Sequence, residues 1–278
     1  MALAPVLVLT AATLAQAASP SPPPDGPDPT RSPYEVDAIV DAAVTLGALG
    51  TSALIGVVKP SLAGGVNCAA RMPSGRCDPS SLNALDRTVV GNDSAGWRRA
   101  SDVGQYLALS LPVAATAVEV ALGAGDARLT PFATDVLVMA EAVAVSQVVT
   151  DVTKLAVRRP RPTQYRDGAY VGSVEHQVSF PSGHTSATSA AVTAYTVTFA
   201  LRHPDSPWRF AVAGGAVALT AMTAWGRVAG GMHFYTDVLG GAVIGVAAGL
   251  AVPLAHRRVR LTPVVGPGSR GLALAGNF

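Results

Sequence analysis

Three short stretches of this chain hold residues whose types and spacing suit chemistry on an anion. They are "KLAVRRPRP" from Lys154 to Pro162, "PSGH" from Pro181 to His184, and "GRVAGGMHFYTD" from Gly226 to Asp237. Lys154 and Arg161 are seven residues apart, two helical turns, so a helix that persists that far puts both cations on one face. Pro160 and Pro162 end it about there. Ser182 is of the type that caps a helix. The N–H groups of Gly183 and His184 then point out of the positive end of the helix dipole, and Gly183 lets an oxyanion approach the backbone. His184 stands at that corner with a proton to give. His233 and Asp237 are four apart; if a helix starts by His233, the carboxylate engages one ring nitrogen and frees the other as nucleophile or base. Lys154, Arg161 and Arg227 around one pocket would repel a metal cation and welcome an anion, so no metal is expected there.

Each stretch alone has a plainer explanation: a charged flank beyond a membrane helix, an ordinary helix cap, a structural His–Asp pair. A second Pro-Ser-Gly, Pro73 to Gly75, shows how little the tripeptide means, because Arg76 follows where a histidine would be needed. Together the three supply what phosphoryl transfer requires, namely cations and N–H groups for the equatorial oxygens, a nucleophile and a proton donor.

The elements that must position them are helices. Hydrophobic residues make up 49% of the 278 and charged residues 14%, against about 25% charged in soluble domains; mean hydropathy is +0.36. A net charge of +2 and 5% aromatics exclude nucleic acid as a partner, which wants basic stripes or stacking platforms. Six apolar segments succeed one another: Ala38–Val58, Gln105–Gly125, Pro131–Thr153, Gly183–Leu201, Phe210–Trp225 and Val238–Ala255. The last runs near bilayer-spanning length. Asp41, Glu119, Asp135, Glu141 and Asp151 would be costly against lipid, so they should face the bundle interior or mark partly wet helices. Ala, Gly and Thr let neighbouring backbones come close. The fold expected is all-α: a membrane-embedded six-helix bundle with a short C-terminal tail or hairpin. If the segments alternate in direction, the ends of the first, third and fifth and the starts of the others share one face, and all three stretches fall there.

Around this helical domain, 34–256, other parts are expected. Residues 1–17 read as a signal peptide, an apolar run closed by Ala15-Gln16-Ala17. Residues 18–33 form a Pro-rich linker, with seven prolines among the fifteen residues Ser19–Pro33. Residues 257–278 form the tail. Cys68 and Cys77, the two cysteines, suit a loop-stapling disulfide in an exported chain.

At this point the chain resembles the type-2 phosphatidic acid phosphatase and vanadium haloperoxidase superfamily. Its signature is Lys-x6-Arg-Pro, then Pro-Ser-Gly-His, then Ser-Arg-x5-His-x3-Asp. Lys154 to Arg161-Pro162, Pro181 to His184, and Arg227, His233 and Asp237 match it, across about 131–255. Gly226 departs, standing where the family usually has a serine that is a minor phosphate ligand. The resemblance implies a metal-independent phosphatase without cofactor. His233 attacks phosphorus to form a phosphohistidine, Asp237 orients it, and His184 protonates the leaving oxygen and later activates water. Lys154, Arg161, Ser182, Gly183 and Arg227 hold the phosphate. His176, His203 and His256 carry no role.

The substrate expected is a phosphomonoester or pyrophosphate, of a lipid or a small phosphoester, because the pocket would open beside apolar helices. Two alternatives stand beside it: a vanadate-dependent haloperoxidase, against which the short fifth link and small length argue, and a non-catalytic membrane scaffold, for which Gly226 is the one argument. The expected location is the cell envelope, with an extracytoplasmic active site in the membrane or an exported soluble bundle. A cleaved signal followed by a spanning first segment would instead put the site and both cysteines in the cytoplasm, where a disulfide is unexpected.

Overall fold

The computed structural model describes residues 32–63, 65–122, 129–166, 177–257, 259–266 and 269–276. The expected signal peptide, most of the Pro-rich linker and His176 lie outside them. Six long helices alternate in direction: α1 (Ala38–Ala63), α3 (Ala95–Leu122), α4 (Leu129–Val157), α5 (Gly183–Arg202), α6 (Trp208–Ala229) and α7 (Tyr235–Ala255). A one-turn helix, α2 (Ala84–Arg87), brings the α-helices among the described residues to seven where six were expected. Asn83 caps it, accepting a hydrogen bond from Asp86 N at 2.9 Å. The chain closes in an antiparallel hairpin, β1 (Val259–Gly266) with β2 (Ser269–Gly276).

α3 begins ten residues earlier than its apolar pattern, at Ala95 rather than Gln105. Its polar first turns hold Arg98, Arg99 and Asp102, and they stay helical because they face partners at the bundle end. Arg98 pairs with Asp93 at 2.5 Å, and Asp102 reaches Arg227 at 3.1 Å. α6 likewise runs past its apolar stretch to Ala229, which carries Arg227 into the site.

Among the described residues, four helical stretches, Ala38–Ser61, Ala95–Leu122, Leu129–Tyr165 and Tyr235–Ala255, are long and apolar enough to cross a membrane. Large apolar side chains such as Ile39, Val57, Leu122, Val217 and Val243 stand exposed on the outer faces, as in an integral membrane protein. The acids turn inward: Asp41, Asp135 and Glu141 are buried, while Glu119 accepts from Tyr195 Oη at 2.7 Å.

α5 is not among the four because it is the enclosed helix. Its Ser, Thr and Ala residues are buried along most of its length, and it lies against α7 on a face of small residues. Cβ atoms at Gly241 and Gly245 would strike the Ser182 and Ser186 carbonyls, and one at Gly249 would come 2.7 Å from the Ala190 carbonyl. These glycines recur every four residues, one per turn, so α5 and α7 meet backbone to backbone. That contact sets the distance between the start of α5 and the start of α7, where the chemistry-bearing residues stand.

Candidate active site

The ends of α1, α4 and α6 and the starts of α3, α5 and α7 share one face, and the three motif stretches converge on it. Lys154 lies in the last turn of α4 and Arg161 caps the 3-10 turn Pro162–Tyr165. Arg227 ends α6, and His233 sits in the loop before α7. Lys154, Arg161, Arg227 and His233 are all buried. Burial drives the His233 pKa well below its ordinary value, and the positive charges of Arg161, Arg227 and Lys154 push it the same way. The imidazole is therefore neutral through the physiological range, with a lone pair to offer.

Ser182 caps α5, its Oγ accepting from Thr185 N at 3.5 Å and Thr185 Oγ1 at 3.1 Å. Its backbone N–H donates to the Asp237 carbonyl at 2.9 Å. The serine is thus a helix cap, and Gly183 and His184 are the first two residues of the helix it caps. A Cβ at Gly183 would lie 3.1 Å from Lys154 Nζ, so the absent side chain opens the space between the helix end and that cation. His184 Nε2 lies 3.0 Å from Asp102 Oδ1, the oxygen that also accepts from Arg227 Nη1 at 3.1 Å.

The His233–Asp237 pair differs from the expected direct bond. Nδ1 to Oδ2 is 3.6 Å, beyond hydrogen-bond reach. Ser179 stands between them, its Oγ donating to Asp237 Oδ2 at 2.5 Å and lying 3.5 Å from His233 Nδ1. Asp237 turns instead to its own helix end, Oδ2 accepting from Phe234 N at 2.8 Å. Its other oxygen accepts from Arg159 Nη1 at 2.7 Å. Arg159 stacks over the Phe234 ring at 4.3 Å and gives its second nitrogen to Asp86 at 2.8 Å. Asp86 also accepts from Asn83 and from Thr236. Burial works against the Asp86 charge, but these bonds outweigh it and hold its carboxyl below the usual range. Nδ1 is the ring nitrogen on the Ser179 and Asp237 side, which leaves Nε2 as the nitrogen away from them.

Sequence reading did not single out Asp102, Ser179, Arg159 or Asp86. Arg159 lies inside the quoted basic stretch and Ser179 two residues before Pro181, so both had a positional signal. Asp102 was masked by its place in a polar turn, and Asp86 carries no motif at all.

Cys68 and Cys77 are disulfide-bonded, as the cysteine count suggested. Their loop lies on this same face, with Cys77 N donating to the Gln164 carbonyl at 3.0 Å.

The departure at Gly226 has a steric cause. A Cβ there would lie 2.8 Å from both the Ser101 Cβ and the Trp97 carbonyl of α3. Gly226→Ser should therefore not improve phosphate binding but destabilise the α3–α6 contact, by about 1–3 kcal/mol as for other overpacked sites. A thermal melt in detergent checks this, and an unchanged midpoint with tighter phosphate binding would contradict it.

A family model described as the PAP2 superfamily matches residues 135–260. No curated protein matches the sequence. Among solved structures, the first transmembrane PAP2 type phosphatidylglycerolphosphate phosphatase from Bacillus subtilis is similar, with a TM-score of 0.45 and 20% identity, covering 76% of this chain and 93% of that one. The matched span contains Lys154, Arg161, His184, Arg227, His233 and Asp237, and over residues 135–260 the chain is similar to the PAP2 superfamily.

Proposed function

We propose that this protein is a metal-independent phosphatase that hydrolyses a phosphomonoester or pyrophosphate of a lipid through a phosphohistidine on His233. The observation that carries the reading is a neutral, buried histidine on which the charges of Arg161, Arg227 and Lys154 act, with a second histidine, in the first turn of α5, among the groups around it. Lys154, Arg161, Arg227 and the N–H groups of Gly183 and His184 hold the equatorial oxygens, where charge spreads in the transition state. Ser182 accepts both of its bonds from Thr185 and so keeps its own proton to donate to a phosphate oxygen.

His233 Nε2 forms a bond to phosphorus as the bond to the leaving oxygen breaks. The imidazolium so created is stabilised by the Asp237 charge 3.6 Å away and through Ser179, which lies between them. The leaving oxygen takes a proton from His184. With Nε2–H held by Asp102, Nδ1 is the nitrogen that gives it. In the second step a water loses a proton to His184 and attacks phosphorus, the P–N bond breaks, and inorganic phosphate and free His233 result.

A lipid substrate is supported by an apolar groove of about 590 Å³ between α3, α5 and α6, lined by residues such as Leu111, Val118, Val192 and Leu219. The same helices carry Asp102, His184 and Arg227. Leu111, Val192 and Leu219 are eight or nine residues further along them, about 12–14 Å at 1.5 Å per residue, which is acyl-chain reach from the phosphate. An extracytoplasmic site is supported by the disulfide in the loop over the active face, since such bonds persist in oxidising compartments.

The test is phosphate release from phosphatidate, an isoprenyl pyrophosphate and water-soluble phosphoesters by the detergent-purified protein in excess EDTA. Turnover favouring the lipids is expected; absence of turnover on all three, or dependence on added metal, overturns the reading. The pH profile adds a further check. Burial, then the Arg227 charge, hold His184 down at about 4, against the opposing pull of Asp102. The free enzyme therefore has His184 neutral above that pH, and the proton for the leaving group must arrive on the substrate, whose phosphate loses it near pH 6. kcat/KM should be highest between about 4 and about 6 and fall about tenfold per unit above that range. A plateau extending to pH 8 would remove His184 from this role.

A further inference from the structure

At the other end of the bundle, three ligand-type side chains from three elements meet. Asp41 comes from the first turn of α1, Glu141 from the middle of α4, and His256 from the residue after α7. One ligand atom from each lies within 4.8 Å of the others. We propose that Asp41, Glu141 and His256 bind a divalent transition-metal cation of the Zn2+ class, which clasps α1 to the rest of the bundle.

Three observations carry this. First, the spacing fits: His256 Nε2 is 3.2 Å from Asp41 Oδ1 and 3.6 Å from Glu141 Oε2. Ligands at about 2.1 Å on a tetrahedral cation stand about 3.4 Å from one another, between those two values. Second, Asp41 Oδ1 meets His256 Nε2 at 3.2 Å, but each carboxylate keeps one oxygen that the cluster leaves unsatisfied. Asp41 and Glu141 are 8% and 7% exposed, and Asp41 Oδ2 and Glu141 Oε2 are buried with no hydrogen-bond partner. One turn along α1 from Asp41, the buried Thr45 hydroxyl is likewise unbonded. Buried carboxylate oxygens of this kind are paired or coordinate metals. Third, the imidazole is oriented as a ligand. His256 Nδ1 lies 2.9 Å from the Val252 carbonyl, so Nδ1–H donates there and Nε2 is the ring nitrogen turned to the two acids. A backbone carbonyl on the far nitrogen is what fixes a metal-binding histidine.

The donor set, one nitrogen and two carboxylates, suits a borderline cation more than Mg2+ or Ca2+, which prefer all-oxygen shells. Two carboxylates with a neutral imidazole carry −2, which a divalent cation cancels. The groups whose charge acts on Glu141 are His256 and Asp41 themselves. The position is apart from the phosphatase chemistry: α7 runs about 30 Å from His233 to His256, so the cation takes no part in hydrolysis. Its work is mechanical. α1 presents most of its surface outward, and the site would tie its first turn to α4 and α7. The chain just before it is also tied there, through Glu35 N to the His256 carbonyl at 2.8 Å.

The experiment uses the full chain, purified in detergent on a tag without histidines, stripped with chelator and dialysed against micromolar Zn2+. One zinc per chain is expected by elemental analysis, with a higher melting temperature. Glu141→Gln and His256→Gln should weaken binding at least about tenfold and lose the thermal shift, while His184→Ala with His233→Ala keeps both. No retained zinc, or equal zinc in the Glu141 and His256 variants, overturns the proposal. Should those variants not fold, X-ray absorption on the wild-type zinc protein decides: one imidazole among oxygen ligands supports the site, two imidazoles or a thiolate overturn it.

Discussion

His233→Ala is expected to abolish phosphate release, by at least about 10⁴-fold, while leaving a folded protein. Removing a nucleophile removes the covalent route itself, and groups that act as one unit lose nearly their whole effect when one is deleted. The loss cannot be repaired by binding, because Lys154, Arg161 and Arg227 still attract the phosphate but have no in-line group to receive it. The variant should therefore bind vanadate or inorganic phosphate with near wild-type affinity. Folding should survive because α5 and α7 are joined through their glycine face, and the His233 ring, though buried, contributes no bond shorter than the 3.5 Å contact to Ser179. Turnover and a thermal melt on the same preparation separate the two effects. A variant that melts normally and still turns over at a tenth of the wild-type rate would remove His233 from the nucleophile role.

His184→Ala should be nearly as damaging on a lipid substrate, by about 10²–10⁴-fold, the usual contribution of a positioned proton donor. The two histidines differ in how their loss depends on the leaving group. An alkoxide needs the proton that His184 gives, whereas p-nitrophenolate leaves without one. The deficit in the first step should therefore shrink for the nitrophenyl ester. The second step needs His184 again, to activate water, so the variant should stall as a phosphoenzyme. Radiolabelled phosphate should remain on the protein after denaturation at alkaline pH, where phosphohistidine survives, and should vanish when His233 is also replaced. Equal losses on both esters with no trapped label would remove His184 from the proton-transfer role.

Much of this arrangement was legible in the sequence, and the parts that were not have physical reasons. The six long helices arise from apolar runs, and their alternation by itself puts Lys154, His184 and His233 on one face. The helix ends were harder. α3 starts at Ala95 because Asp93, Asp102 and Arg227 partner its charged first turns, and such partners lie over a hundred residues away in part. α2 is a single turn held by Asn83, too short for any period to register. At the site, the residues that would touch phosphate were readable because spacing along one or two turns brings them together. Those that hold Asp237 were not, because Arg159 and Asp86 meet only once the loop folds back over α7. The same limit hid the Asp41–Glu141–His256 cluster, whose members come from α1, α4 and the residue after α7.

The glycine face between α5 and α7 bears on how the protein works in a fluid environment. With no side chain acting as a spacer, the two helices can slide or tilt against each other only by breaking backbone contact. The helix end at Ser182 and the loop that carries His233 therefore travel as one piece. Lateral pressure from changing lipid composition would be absorbed by the outer helices, and the gap between those two places would stay constant while the surroundings deform.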